Sequence, residues 1–183
     1  NKTILIWIVF QLGPLGALFA QGNWQSFTTE NTILVDNQFY DILIVDGVKW
    51  VGTNWGLYTY DNTSWIDYTD VLPHPLVNSI SIDKEGNIYV CTLSGIAIYN
   101  GISWETITSQ NSIITSHVNE VVFDDDNTAY IGTIDGLFKM SNDDISIVLD
   151  SSSLEPSFRN VRCLTFKGDS LCIGTVNGGL GYL

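Results

Sequence analysis

A segment of about forty residues recurs four times along the chain, and it limits the possible folds more than any other feature. Each copy contains a threonine, at Thr53, Thr92, Thr133 and Thr175, so that successive copies are 39, 41 and 42 residues apart. In the first three copies a glycine followed by leucine or isoleucine comes three residues after the threonine. A period of this length indicates a repeat architecture in which similar units pack side by side.

Each repeat has the pattern of four short strands. An alternating apolar run over 77–82 precedes the turn-forming segment 83–87, and further apolar runs at 95–99 and 101–107 are separated by Asn100 and Gly101. Alternation between turn residues is typical of strands joined in hairpins. Four antiparallel strands in about forty residues match one blade of a propeller, so the sequence predicts an all-β propeller of four-stranded antiparallel blades.

The repeats predict one domain over 21–183. Its blades lie at about 37–70, 76–109, 117–150 and 159–183. Trp24 lies 41 residues before Trp65, so 22–29 resembles a lone fourth strand. Two architectures remain open: a closed four-bladed ring, in which 22–29 completes the last blade, or the N-terminal part of a larger propeller.

Tryptophan and glycine recur in register and have a structural interpretation. Trp65 and Trp104 each lie nine residues after the repeat glycine, where a bulky side chain would fill the wedge between blades, while glycine suits a tight connection between strands. The residues assigned to packing and turns are Trp24, Trp65, Trp104, Gly52, Gly56, Gly95, Gly132, Gly136, Gly174 and Gly178.

The first twenty residues have the pattern of an export signal. Lys2 precedes a nearly continuous apolar run over 4–19, and Ala20 is a small residue suited to cleavage before Gln21. We therefore predict a signal peptide over 1–20 and a periplasmic or extracellular mature protein that does not insert into the membrane. A membrane anchor is the competing interpretation, which Pro14 and the short apolar length disfavour.

The acidic charge of the chain disfavours two classes of partner. The formal net charge is -13, from 7 basic and 20 acidic residues, and such a surface repels nucleic acid and anionic lipid.

Cys91, Cys163 and Cys172 permit at most one disulfide. Cys163 and Cys172 fall on neighbouring predicted strands but not opposite one another, which favours three small core residues.

The repeats resemble a known family, the two-component-regulator-type propeller repeat. The resemblance rests on 78–83 with 86–90, and on 50–53 with Gly56 and Leu57, and it departs from the family pattern at Cys91. It implies either the periplasmic sensor portion of a membrane histidine kinase, often responsive to glycans, or a secreted protein with a C-terminal sorting domain. Kinase or sorting domains would then follow in a longer parent protein.

Motifs for nucleophilic, metal or cofactor chemistry are absent from the sequence, so no cofactor and no metal are predicted. Asp124, Asp126 and Thr128 have the spacing of a calcium loop, but Ala129 stands at its glycine position, which favours a polar hairpin turn. Asp41 and Glu120 occupy the same rank of the innermost strand in alternate blades and could approach the central channel. Such a pair permits glycosidase or lyase chemistry, although carboxylates that line a solvated channel are commoner.

The loops predict a binding face. Loops after the second strand and loops entering the first strand should share one end of the propeller, where an aromatic plane with amide, imidazole and carboxylate groups suits a sugar or a peptide. The candidate ligand-binding residues are Asn54, Trp55, His74, His117, Asp135, Arg159 and Asn177. The leading hypothesis is an exported noncatalytic recognition module for a glycan or protein ligand. The alternatives are a secreted structural or adhesive propeller and a polysaccharide-cleaving enzyme.

Overall fold

The computed structural model describes residues 25–110, 112, 117–142, 144–150 and 158–183. The predicted signal peptide, Trp24 and the predicted cleavage site lie outside these residues. The described chain is all-β: fifteen antiparallel strands form four separate sheets, and the 3-10 turn Thr69–Val71 is the longest helical element among the described residues. No helix in the described ranges has the length and apolar character needed to cross a membrane.

Each sheet is a meander of consecutive strands, which we call a blade. Blade 1 comprises β1 Phe39–Val45, β2 Val48–Thr53, β3 Gly56–Tyr60 and β4 Trp65–Asp67. Blade 2 comprises β5 Val77–Ile82, β6 Ile88–Thr92, β7 Gly95–Tyr99 and β8 Trp104–Ile107. Blade 3 comprises β9 Val118–Phe123, β10 Ala129–Thr133, β11 Gly136–Ser141 and β12 Asp144–Asp150. Blade 4 comprises β13 Val161–Lys167, β14 Ser170–Thr175 and β15 Gly179–Tyr182.

The repeated threonine holds the loop between the second and third strands. In blade 2 the Thr92 hydroxyl donates to the carbonyl of Gly95 at 2.9 Å and accepts the N–H of Ser94 at 3.2 Å. The same bonds form around Thr53 and Thr133. Because the threonine is buried in these three blades, its hydroxyl satisfies polar groups that have no access to water.

Blade 4 departs from the predicted loop by one residue. Thr175 pairs with Gly179 and its hydroxyl donates to the Gly179 carbonyl, so Gly179 takes the place that the sequence assigned to Gly178. The extra residue lengthens the loop, and the Gly178 N–H binds the Thr175 hydroxyl from within it. A fixed spacing from threonine to glycine therefore fails in this repeat.

Three apolar seams join neighbouring blades. Between blades 1 and 2, the ring of Trp50 stacks on Tyr68 at 5.6 Å and meets Trp104 edge-on at 6.2 Å. The seam between blades 2 and 3 surrounds Ile131 and includes an edge-on contact of Tyr89 with Phe123 at 4.9 Å, and the seam between blades 3 and 4 centres on Leu137. Burial of this surface against the next sheet supplies most of the driving force for stacking the blades.

Segment 25–38 packs on blade 1 as the end of a preceding blade would. Phe27 contacts the rings of Tyr60 and Trp65 at 4.8 and 5.4 Å. Tyr68 lies 41 residues later and contacts the corresponding rings of blade 2, Tyr99 and Trp104, at 6.4 and 5.5 Å. The resemblance of 22–29 to a fourth strand therefore extends to packing, although 25–29 forms no strand here.

The innermost strands β1, β5, β9 and β13 lie side by side in that order. No comparable packing joins β13 to β1 among the described strands, so closure into a four-bladed ring is not observed. Large apolar side chains are exposed on both end blades, including Ile44 at 63% and Tyr182 at 68%. The described blades form an open arc.

Candidate ligand-binding face

Two sets of loops meet at one end of the blades. The N–H of Asn54 binds the carbonyl of Gln38, and equivalent bonds join Ile134 to His117 and Val176 to Asn160. Each bond ties the loop after the second strand to the residue that leads into the first strand. We call this end the loop face; the hairpin turns between the first and second strands form the opposite end, the turn face.

All seven sequence-predicted binding residues lie on the loop face. The loops after the second strands carry Asn54, Trp55, Asp135 and Asn177, and the loops entering the first strands carry His74, His117 and Arg159. Trp55 is 58% exposed and presents the large aromatic plane of this face. The N–H of Leu76 donates to Nδ1 of His74 at 3.0 Å, which ties the imidazole to its own loop.

Sequence reasoning missed a row of polar residues on the innermost strands. Each of these strands has a β-bulge near its start, and the extra residue is Tyr40, Asn78, Asn119 or Arg162. The Asn78 amide donates to the Val118 carbonyl of blade 3 at 2.8 Å, and the Asn119 amide donates to the Val161 carbonyl of blade 4 at 2.8 Å. The bulges thus aim amides from one blade at the backbone of the next.

Arg162 is positioned by this row. Its Nη1 donates to Oδ1 of Asn119 at 3.2 Å, and the Asn119 amide also donates to Oδ1 of Asn160 at 3.1 Å. The bonding pattern fixes the orientation of the Asn119 side chain, since its amide nitrogen faces two acceptors and its oxygen faces the guanidinium. A signal for this cluster was present in the sequence, because Asn78, Asn119 and Arg162 follow the first apolar residue of their strands.

The paired carboxylates bridge blades. Oδ2 of Asp41 accepts the N–H of Ile80 in blade 2 at 2.7 Å, and Oε2 of Glu120 accepts the N–H of Leu164 in blade 4. Burial raises the pKa of Glu120 above its ordinary value; the negative charge of Asp41 adds to the rise, while the Leu164 N–H and the charge of Arg162 oppose it. One oxygen of each carboxylate is therefore engaged by the backbone of the following blade.

Each of these carboxylate residues pairs with a small residue on the second strand of its own blade. Asp41 pairs with Gly52 and Glu120 pairs with Gly132, whereas blade 2 pairs the smaller Ser79 with Cys91. A Cβ on Gly132 would lie 2.8 Å from the Val161 side chain of the next blade. Cys91, the departure from the family pattern, thus occupies a position where glycine otherwise admits the neighbouring blade.

The three cysteines are free and differ in environment. Cys91 is buried, and burial raises the pKa of its thiol to about 12. Cys163 pairs with Gly174 and Cys172 pairs with Thr165, which confirms that the two do not lie opposite one another. The prediction that all three are core residues is wrong for Cys163, which is exposed because it lies on the open side of blade 4.

We expect this difference to appear in the reactivity of the thiols. In the folded chain at pH 8, iodoacetamide should label Cys163 well before Cys91, because only the thiolate reacts and Cys91 is both protonated and enclosed. Mass spectrometry of peptides from timed samples measures the order. Labelling after denaturation in urea is the control, in which all three should react alike. Early labelling of Cys91 would contradict its burial.

The calcium-like segment forms a polar turn. Oδ1 of Asp124 accepts the N–H of Asp126 at 3.0 Å and the N–H of Thr128 at 2.8 Å. Asp83 binds the corresponding turn of blade 2 in the same manner. Within the described ranges, no group of three or more acidic, histidine or cysteine side chains is arranged to hold a metal ion.

Comparison with known proteins identifies the architecture. The extracellular domain of a hybrid two-component system from B. thetaiotaomicron matches 87% of this chain with a TM-score of 0.75 and 17% sequence identity. A second such ectodomain from B. thetaiotaomicron matches 79% with a TM-score of 0.66 and 26% identity. The chain has the propeller fold of two-component sensor ectodomains. The resemblance carried by the repeats is confirmed at this level.

The chain corresponds to a small part of each of the two ectodomains. The chain spans 23% and 20% of the lengths of the two ectodomains. Virginiamycin B lyase from Staphylococcus aureus shares the fold at 13% identity and a TM-score of 0.59, over 79% of this chain and 55% of the lyase. No protein-family model matches the chain, and no curated protein is similar to it.

Proposed function

We propose that this propeller is an exported, noncatalytic recognition module that binds an extracellular glycan on its loop face as part of a sensor ectodomain. The observation that carries the proposal is the convergence of the loops after the second strands with the loops entering the first strands, which brings the exposed Trp55 to the same face as the loop residues Asn54 and Asn177. A protein ligand and a structural or adhesive role are the competing functions.

The chemistry of this face fits a sugar. An exposed indole stacks on the apolar face of a pyranose ring, and amides both donate to and accept from hydroxyls. The buried Asn119 binds Asn160 and the Val161 carbonyl, so the strand ends beneath these loops are ordered before a ligand arrives, which reduces the entropy lost on binding. The similarity to extracellular domains of two-component systems supports the sensor setting and an exported location.

The test is calorimetric titration of the chain with a panel of neutral and acidic oligosaccharides. The change Trp55→Ala should weaken binding of any ligand found by about fivefold or more, since loss of a stacked aromatic ring costs about 1–3 kcal/mol. Ile102→Ala is the matched control, because Ile102 is 91% exposed in a turn at the opposite end. Failure of the whole panel to bind, or equal affinities for the two variants, would reject the proposal.

The same panel tests the noncatalytic part of the proposal. The backbone bonds of Asp41 and Glu120 support a structural role for both carboxylates, because each already accepts an N–H from the next blade. If new reducing ends or unsaturated products form during incubation with the chain, and are lost in the Asp41→Asn and Glu120→Gln variants, the chain cleaves the oligosaccharide. That result would reject the noncatalytic part of the proposal.

A further inference from the structure

A cleft opens between blades 1 and 2 at the turn face, the end opposite the loop face. Its volume is about 400 Å³, and its rim is formed by turn residues of both blades, Asp46, Asp61, Gly86 and Gly101. Sites for small molecules range from about 300 to 1,000 Å³. The cleft is therefore large enough for a small organic ligand.

The interior of the cleft is aromatic and aliphatic. Trp50, Tyr68 and Tyr99 line it, and their ring centroids lie 5.6 Å (Trp50 to Tyr68), 5.8 Å (Trp50 to Tyr99) and 6.4 Å (Tyr68 to Tyr99) apart. Val48 and Ile66 extend the lining on the side of blade 1. Such a surface buries an apolar body, and aromatic rings attract a cation through the negative charge of their faces.

The short hairpin of blade 1 leaves this end of the seam apolar. Val45 pairs directly with Val48 across the two-residue turn 46–47, in which both residues have positive φ. Blade 2 instead pairs Asp83 with Asn87 at this rank, and the Asn87 amide donates to Asp83 at 2.7 Å. These two polar residues line the cleft of the next seam, between blades 2 and 3. The apolar lining thus arises from the valine pair of blade 1.

The rim of the cleft is negative. Asp46 and Asp61 both line it, and no lysine, arginine or histidine is among the lining residues within the described ranges. Oδ1 of Asp61 accepts the N–H groups of Thr63 and Ser64 at 2.8 and 2.7 Å. The Thr63 hydroxyl, together with these N–H groups, lowers the pKa of Asp61, so the residue keeps its charge. Asp46 takes part in no ion pair in the described part of the chain.

The two lysines of blades 1 and 2 are bonded elsewhere. Nζ of Lys49 donates to Oδ1 of Asn62 at 2.5 Å, and alternation along β2 places Lys49 on the opposite face from Trp50. Nζ of Lys84 pairs with Asp125 of blade 3 at 3.2 Å. Neither lysine lines the cleft, so the two carboxylates of the rim have no cation beside them there.

We infer that this cleft is a second binding site, for an organic cation that carries an alkylated ammonium group on an apolar body. The ammonium lies at the rim beside Asp46 and Asp61, and the apolar body contacts the half-buried rings of Tyr68 and Tyr99. An alkylated ammonium donates no strong hydrogen bond, so it needs only negative charge and apolar contact, and the cleft supplies both. The site lies at the turn face, and the inference is therefore independent of glycan binding at the loop face.

Benzyltrimethylammonium is a suitable probe, because it joins a quaternary ammonium to one aromatic ring. Titration of the chain, followed by NMR, should give saturable shifts in the ring protons of Tyr68 and Tyr99. Phenylacetate, which carries a similar body with a negative charge, should bind about tenfold more weakly or not at all, since both the rings and the carboxylates favour a cation. Absence of saturable shifts, or equal binding of the two probes, would overturn the inference.

A lysine in the cleft should compete with the probe. Ile66 lines the cleft and is 50% exposed on β4, so Ile66→Lys adds an ammonium group without burying a charge. We expect this variant to bind the probe about tenfold more weakly, or not at all. Ile147→Lys is the matched control, because Ile147 is 52% exposed on the outer strand β12 of blade 3. The control should bind the probe as the parent chain does.

Asp46→Asn is a second variant that preserves the turn. Asparagine tolerates the positive φ of this position as aspartate does, so the hairpin should be retained. Loss of one of the two rim charges should weaken binding of the probe by about threefold or more. This variant decides the matter if Ile66→Lys lowers the melting temperature. Unchanged affinity in both variants would overturn the inference.

Trp55→Ala separates this inference from the proposed function. Trp55 lies at the opposite end of the blades, so its loss should leave binding of the probe unchanged, whatever its effect on a glycan. Probe binding that is lost in Trp55→Ala but kept in Ile66→Lys would place the cation at the loop face and overturn the inference. Failure of the oligosaccharide panel, with the probe still bound in the cleft, would reject glycan recognition and support the second site.

Discussion

Replacing Gly95 with alanine should lower the free energy of unfolding by about 3 kcal/mol or more, since backbone strain and overpacking each contribute about 1–3 kcal/mol. Gly95 has φ of +128°, a conformation that residues with a Cβ rarely adopt. A Cβ at this position would lie 2.0 Å from the carbonyl oxygen of Ile107, and that contact is with backbone rather than with a flexible side chain. The third and fourth strands of blade 2 would have to move apart to relieve this contact.

Urea unfolding followed by tryptophan fluorescence measures this effect. Gly101→Ala is the matched control, because Gly101 also has a positive φ of +86° but nothing lies within 4 Å of its Cβ position. The control should cost only about 1–2 kcal/mol for the left-handed conformation. Equal losses in the two variants would show that the contact with Ile107 is not what requires glycine at position 95.

Removing the side chain of Glu120 should produce the second large effect. Glu120→Ala leaves the N–H of Leu164 without its partner, and Leu164 is only 5% exposed. A buried donor without a partner costs about 1–3 kcal/mol, so we expect a loss of stability of that size. Glu120→Gln retains an acceptor oxygen and should keep most of the stability of the parent chain.

The pH dependence has a definite sign. Because the pKa of Glu120 is raised in the folded state, folding favours its protonated form. The stabilisation from this group is complete below its ordinary value of 4.5 and is lost as the pH rises through the folded pKa. Glu120→Gln cannot ionise, so its stability relative to the parent should increase as the pH rises above 4.5 and through the folded pKa of Glu120.

Thermal melts of the parent, Glu120→Ala and Glu120→Gln at several pH values check both statements. Glu105→Ala is the control, since Glu105 is exposed on β8 and its removal should change stability by less than about 0.5 kcal/mol. A glutamine variant as unstable as the alanine variant, at every pH, would show that the bond to Leu164 does not join blades 3 and 4.

The blades could be predicted from the sequence because the patterns that specify their strands and loops are local. Alternation within a strand and the threonine loop are confined to a dozen residues, so Thr92 and Gly95 could be assigned from the sequence. The partner of Glu120 is a backbone N–H 44 residues away, which leaves no mark on composition or motif. The roles of Asn119 and Arg162 depend on a bulge, and the period of the repeat does not show on which strand the extra residue falls.

The first three innermost strands contribute side chains that bind the backbone of the strand after them, from Asp41 to Ile80, from Asn78 to Val118 and from Glu120 to Leu164. In these three bonds the successor supplies only peptide groups, which every sequence possesses, whereas the apolar seams need side chains from both blades. Duplication of such a unit therefore carries these polar bonds into the copy without a matching substitution at the acceptor positions. Propellers built in this way can gain blades by recombination between repeats. The residues of the loop face can then vary while these bonds between blades are kept.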